Sequence, residues 1–384
     1  MTISIQKHEI VHHSLFTNDL LCAIITPHEN KEENKKMKKI AIFLLIALCI
    51  SIFAGCTGDV VIVNNCTCPT GSHTNPTQPT QPVEGALKTG LAIVCSTGKS
   101  ANAEKADYDV TLVAVLVDND GIIRDCIIDS IGATVTFDAT GTITSDITAP
   151  VQTKNELGDS YGMVNASDIQ REWYQQADAL AQFAIGKTVS ELKNGAIDAS
   201  GKAPAGSDLA SSATIYLGGY VNAIEAAVNN AQHLGAQGGD ELRLAAMPSR
   251  KESVSATAEK VGTAQLNCDV TALTVKDGKI TSCYIDSLQA KVKFGTDGVI
   301  TEGISAAVET KNQLGDAYGM GKISKVGEWN EQAASFAAYI TGKTAAEVAG
   351  IAVNEGTKPT GADLASSVTI AIGGFQALIA KALA

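Results

Sequence analysis

The stretch TKNELGDSYGM at Thr153–Met163 returns as TKNQLGDAYGM at Thr310–Met320. Other pairs follow in the same order: CIIDS at Cys126 with CYIDS at Cys283, REWYQQA at Arg171 with GEWNEQA at Gly327, GKTVSEL at Gly186 with GKTAAEV at Gly342, and GSDLASSATIYLGGY at Gly206 with GADLASSVTIAIGGF at Gly361. The offset stays at roughly 155–157 residues throughout, the mark of a repeated folding unit. Two units are too few for a solenoid, which needs at least about three. The repeat therefore predicts two copies of one domain, at 87–230 and 256–384, each folding alone like a bead on a string, with 231–255 as the linker.

Within each copy the pattern runs from strands to helices. Val110–Val117 and Ile122–Ile131 are apolar, β-branched runs separated by DNDG, and the second copy does the same around KDGK. Asp-Gly between apolar runs signals a hairpin. KVKFGTDGVIT alternates apolar and polar residues about another Asp-Gly, which predicts an antiparallel meander with one face in water. From Ile169, apolar residues recur at Trp173, Ala177, Leu180 and Ala184 with helical spacing, and Gly186 is placed to stop the helix. The two tryptophans, Trp173 and Trp329, fall on these stripes and read as core. Thr188 with Glu191, and Thr344 with Glu347, have capping-box spacing. Leu217, Tyr220, Val221, Ile224 and Val228 form a last stripe, matched by Ile372, Phe375, Leu378 and Ile379. The predicted class is α+β, each copy an antiparallel sheet followed by helices.

The N-terminal region reads as an export device. MKKIAIFLLIALCISIFAGC at Met37–Cys56 has a basic start, an apolar run at Ile40–Ala54 too short for a comfortable span, and small residues before a cysteine. It predicts a lipoprotein signal peptide at 37–55 with Cys56 as the lipidated residue; an ordinary signal peptide or uncleaved anchor is the plainer alternative. Residues 1–36 lack signal character and read as a mis-assigned upstream start. Residues 56–86 are rich in Pro, Thr, Asn and Gln and read as a disordered tether. Cys66 and Cys68 within it have metal-ligand character, but with one residue between them and only His73 nearby they read as tether.

A formal charge of −12 argues against nucleic acid or an anionic membrane surface as a partner of the folded part. No Cys-x-x-Cys-His haem motif, Gly-x-Ser-x-Gly or Walker sequence is present. Only His73 and His233 follow Cys56, too few for a histidine metal centre, and Cys95, Cys126, Cys268 and Cys283 lack iron–sulfur spacing. No catalytic residue and no metal site are predicted. In the second hairpin a turn centred on Asp277-Gly278 sets Cys283 opposite residue 272, too far along the strand from Cys268 for a disulfide.

What distinguishes the chain is the hydroxyl cluster. Asp208, Ser211, Ser212 and Thr214 recur as Asp363, Ser366, Ser367 and Thr369. The plain reading is helix capping, since Asp, Ser and Thr oxygens accept from unpaired N–H groups. A cap needs one such residue, and here four recur at fixed spacing. A helix N-terminus also stabilises phosphate, so a threonine there is a plausible attachment point for a phosphodiester.

The cluster resembles the acceptor motif, roughly Asp-x-x-Ser/Thr-Gly/Ser-Ala-Thr, of proteins modified by FAD:protein FMN transferase; Val368 stands where that motif usually has Ala. With the lipobox, LGDxYGM and EW, the chain resembles the flavin-carrying lipoproteins of extracellular electron transfer, over nearly all of residues 87–384. That resemblance implies two covalent FMN groups, on Thr214 and Thr369, with Asp208, Asp363 and the paired serines as part of the attachment motif. Tyr161, Met163, Tyr318 and Met320 are candidates for packing on the flavin, with loop anchoring as their alternative role. The implied partners are the transferase, a membrane quinol-linked donor and extracellular acceptors; the implied location is the outer face of the cell membrane. An electron-transfer role is expected in place of an enzyme's. The competing expectation is a non-redox solute-binding or surface-interaction lipoprotein.

Overall fold

A computed structural model describes residues 85–384. The proposed upstream start, the signal peptide, Cys56 and nearly all of the tether, with Cys66 and Cys68, lie outside these residues. The fold is mixed α+β. Strands β1 (Lys88–Ser96), β2 (Lys105–Val117) and β3 (Ile123–Thr136) form an antiparallel sheet in that order. Helices α1 (Lys154–Leu157), α2 (Trp173–Ala184), α3 (Val189–Ala196) and α4 (Gly218–Asn229) follow. A second antiparallel sheet, β4 (Glu241–Ser249), β5 (Gly262–Lys276), β6 (Lys279–Phe294) and β7 (Ile300–Glu302), precedes α5 (Lys311–Leu314), α6 (Trp329–Ile340), α7 (Ala345–Ala349), α8 (Ala362–Ala365) and α9 (Gly373–Ala382).

Local signals act as the sequence predicts. Asp277 and Gly278 both take positive φ, 50° and 73°, as a two-residue hairpin loop with right-twisting strands requires. The capping boxes at Thr188/Glu191 and Thr344/Glu347 are formed, and both tryptophans are buried. Gly186, at φ 80°, follows the C-cap Ile185 of α2. The helix starts at Trp173, four residues later than the stripe suggests, because Glu172 caps it.

Three expectations fail. First, neither sheet leaves a whole face to water, although the polar side of Lys291–Phe294 is wet as the alternation predicts, with Lys291 exposed and Lys293 half-buried. One face of each meets helices: Val113, Val115 and Cys126 pack with Trp173, Leu180 and Ile224, and Leu273, Cys283 and Ile285 with Trp329, Phe336 and Phe375. The opposite faces meet each other, Tyr108, Leu112 and Phe137 joining Leu266, Val270 and Phe294 in one shared core. Phe137 and Phe294 stack at 4.0 Å across it. The halves are therefore not beads on a string. Their edges also interlock: Thr97 N–H donates to the Ser305 carbonyl at 2.9 Å, Val308 N–H to Cys95 at 2.8 Å, and Arg250 Nη1 to the Thr134 carbonyl at 2.7 Å.

Second, the segment 231–255 is not a linker. It contains β4, an edge strand pairing with β5; its Gln232 backbone bonds to Thr89 of β1, and its Ala236 carbonyl accepts from Leu87 just before that strand. Third, Cys283 faces Leu273 and not residue 272, because a bulge between Thr274 and Val275 shifts the register. The absence of a bridge follows more simply: Cys268 points into the sheet–sheet core and Cys283 into the sheet–helix core, and both are free thiols.

Candidate functional site

The recurring motifs converge, in each half, on the loop between α1 and α2 or between α5 and α6. The acid of CIIDS, Asp129, is buried and accepts from Asn155 N–H at 3.0 Å and Ser130 N–H at 2.7 Å. Asp286 does the same with Asn312 and Ser287 at 3.1 and 2.7 Å. Burial raises both carboxyls, Asp286 to about 6, against the opposing pull of these N–H groups and the Thr153 or Thr310 hydroxyl. This anchor holds TKN in place. Its lysine then lies over two rings: Lys154 Nζ is 5.2 Å from Tyr161 and 4.9 Å from Trp173, and Lys311 Nζ is 5.2 Å from Tyr318 and 4.6 Å from Trp329.

The far end of the loop is tied by the acid of EW. Buried Glu172 accepts from Met163 and Val164 N–H at 2.8 and 3.0 Å; Glu328 accepts from Met320 and Gly321 at 2.9 and 2.7 Å. One turn on, a fully buried glutamine links this loop to the hydroxyl cluster. Gln176 Oε1 accepts from Thr214 N–H at 2.8 Å, Ile215 N–H at 3.2 Å and the Thr214 hydroxyl at 3.3 Å. Its Nε2 donates to Ser167 Oγ and the Arg171 carbonyl, with Met163 Sδ at 3.9 Å. Gln332 repeats the pattern with Thr369 and Ile370 at 2.9, 3.2 and 3.2 Å, and with Ser324, Gly327 and Met320. One carbonyl oxygen with three donors fixes the backbone around each threonine.

Neither threonine sits at a long helix N-terminus. Thr214 lies in the irregular link between the 3-10 turn Leu209–Ser211 and α4, whose N-cap is Leu217. Thr369 lies between α8 and α9, ahead of the N-cap Ile372. The helix-dipole expectation is thereby corrected: leucine or isoleucine occupies the cap, and the glutamine satisfies the threonine N–H groups. Capping by the acids is also absent, since neither Asp208 nor Asp363 makes a side-chain cap. Ser211 and Ser366 donate to the Asp208 and Asp363 carbonyls at 2.6 and 2.8 Å, and Ser367 to Leu364 at 3.3 Å. Asp208, Asp363, Ser211 and Ser366 are exposed, while Ser212 and Ser367 are half-buried.

Around Thr369 a cavity of about 470 Å³ opens, lined by Lys311, Tyr318, Met320, Trp329, Lys358 and Ile370 among others. Tyr318 and Met320 thus stand beside the threonine, and Met163 approaches the Thr214 clamp through Gln176. Tyr161 is 40% exposed beside Lys154. Larger cavities, of about 630 and 640 Å³, lie between β6 and α6 and between β3 and α2; no residue of the hydroxyl clusters lines either. We assign the site to the smaller one because both repeated motifs meet there.

Sequence reasoning missed Gln176, Gln332, Glu172, Glu328, Lys154, Lys311 and Lys358. All but Lys358 lie in quoted repeats. A polar residue present in both halves on an apolar helix stripe was the available signal for the glutamines. Comparison with protein-family models, curated proteins and solved structures found no match.

Proposed function

We propose that the chain is an exported, lipid-anchored electron carrier built from two copies of one domain, with FMN joined through its phosphate to Thr214 and Thr369. The supporting observation is the clamp: in both halves the threonine proposed as acceptor is held by the same buried glutamine, which also holds the LGDxYGM loop. The surroundings fit the group. At Thr369 the residue is exposed beside a cavity of small-molecule size. Lys311 and Lys358 would balance a phosphodiester, and Tyr318, Met320, Trp329 and Ile370 offer apolar and aromatic surface to a ring system.

Attachment forms a bond from Thr Oγ to the FMN phosphorus and breaks the pyrophosphate of FAD, releasing AMP; the hydroxyl proton leaves to a base of the transferase. Among the described residues the threonine hydroxyl donates to a glutamine carbonyl, which is not a base. Once attached, FMN supplies the two-electron chemistry, from a quinol-linked donor to an extracellular acceptor. The chain's residues hold, orient and charge-balance it. The competing reading, a non-redox lipoprotein whose clusters only cap helices, gains nothing from the hydrogen bonds, because neither acid caps.

The test is flavin fluorescence in a denaturing gel, after co-expression with an FMN transferase. Thr214→Ala and Thr369→Ala should each lower the signal, and the double substitution should abolish it. Fluorescence persisting in the double variant overturns the assignment.

A further inference from the structure

The two threonine loops are compared through the serine that each glutamine holds. Gln176 Nε2 donates to Ser167 and Gln332 Nε2 to Ser324, at 3.1 and 3.0 Å. With these serines aligned, Asn165 corresponds to Lys322, Ala166 to Ile323 and Asp168 to Lys325. On the other wall the turns Asp198–Lys202 and Asn354–Lys358 close with the same hydrogen bonds, so Lys202 corresponds to Lys358 and that wall carries an exposed lysine in each half. The first half has Arg171 where the second has Gly327, but Arg171 lines the separate cavity against α2. Among the acids, Asp159 matches Asp316 and Asp208 matches Asp363, while in the turn Asp198-Ala199 of the first half stands where the second has Asn354-Glu355.

The result is a rim unlike the rest of a chain with net charge −12. Ile323 is 86% exposed and lines the Thr369 cavity, with Lys322 and Lys325 exposed on either side. Neither lysine is in an ion pair among the described residues. Lys358 is exposed on the same cavity's wall. An apolar tip flanked by two unpaired cations suits an anion with a flat or apolar body. Focused positive potential beside a reactive group raises the encounter rate of such anions, and the effect falls with salt.

We infer that the loop of residues 321–326 is a docking lip for small anionic oxidants, so that the Thr369 site and not the Thr214 site delivers electrons to them. This rests on the flavin reading above. Delivery balances as one reduced flavin giving two electrons to two one-electron oxidants, with two protons released to solvent.

The experiment has two arms. In the first, Thr214→Ala and Thr369→Ala proteins, each with one flavin, are reduced and then mixed with ferricyanide or with an uncharged quinone. Ferricyanide should oxidise the Thr369-linked flavin about tenfold faster at low salt. The gap should close at high salt and in Lys322→Gln/Lys325→Gln, while the uncharged quinone treats both sites alike. Equal ferricyanide rates, or a gap that survives the lysine substitutions, overturn the inference. In the second arm no flavin is present. The chain has 2 tryptophans, so Trp173→Phe leaves Trp329 as the reporter. Anthraquinone-2,6-disulfonate should quench it saturably at low salt, and the two lysine substitutions should weaken that binding several-fold. Unchanged binding in that variant, or none in the parent, overturns the inference even if no flavin is ever attached. Lack of flavin in both single-site proteins instead counts against the function proposed above, and the second arm alone then decides the lip.

Discussion

Around Thr214 and around Thr369 the interior is the same: one glutamine oxygen with three donors, one buried glutamate on the loop, one lysine over a tyrosine and a tryptophan. The rims are not the same. Thr214 is half-buried and Thr369 exposed. Tyr216 corresponds to Ala371, and its ring lies against Gly201 and Gly218, where a Cβ would come within 2.3 and 2.7 Å of it. The interior groups are buried and polar, so losing any one strands its partners. The rim groups face water and are free to differ. On the function proposed above, the comparison assigns holding the proposed cofactor to the shared interior and choice of partner to the divergent rim.

The largest expected effect concerns what the halves share. Phe137→Ala or Phe294→Ala removes one ring of the stacked pair and should cost about 3–5 kcal/mol. Urea unfolding should remain a single transition in both variants, because one core serves both sheets. Two separate transitions, with only one displaced, would show that the halves are independent.

Next are the glutamines. Gln176→Ala and Gln332→Ala each leave two backbone N–H groups and a hydroxyl without their acceptor. Water reaches the exposed Thr369 more readily than Thr214. The loss should therefore be about 2–3 kcal/mol at Gln176 and about 1 kcal/mol at Gln332. Thermal melts measure this, and equal losses would remove the burial difference from the comparison.

A smaller effect separates the buried acids. Asp286 has its carboxyl raised from 3.8 to about 6, mainly by burial, and Asp129 is raised by the same cause. A raised pKa means that the folded state binds the proton more tightly than the unfolded state. This contribution to stability is fully present below the unfolded value and is lost as pH rises through about 6. Exposed carboxyls held low, such as Asp138, act in the opposite sense. The informative quantity is therefore wild type minus Asp286→Asn. In melts from pH 4 to 7 that difference should decline with rising pH, and a flat difference would deny the raised carboxyl.

The parts legible in the sequence are those that local chemistry decides. Asp277-Gly278, the capping boxes and the apolar helix stripes need no distant partner. The sheet–sheet core was not legible, because alternation in KVKFGTDGVIT marks Val292 and Phe294 as an inward face without saying that another sheet is what covers it. β4 was missed for a related reason. ELRLAAMPS contains Pro248, which weakens a strand pattern, and an edge strand tolerates it because only one side is paired. At the candidate site, the repeat led to the loops and threonines that the buried glutamines join, while the capping logic led to the wrong backbone. A glutamine on an apolar stripe looks like a surface residue until its three donors are seen.

Intact mass of the mature protein, co-expressed with an FMN transferase, tests the central claim most directly. The account predicts two FMN increments in the wild type, one in Thr214→Ala, one in Thr369→Ala and none when both are replaced. A wild-type mass with no increment, or an increment retained in the double variant, would contradict it.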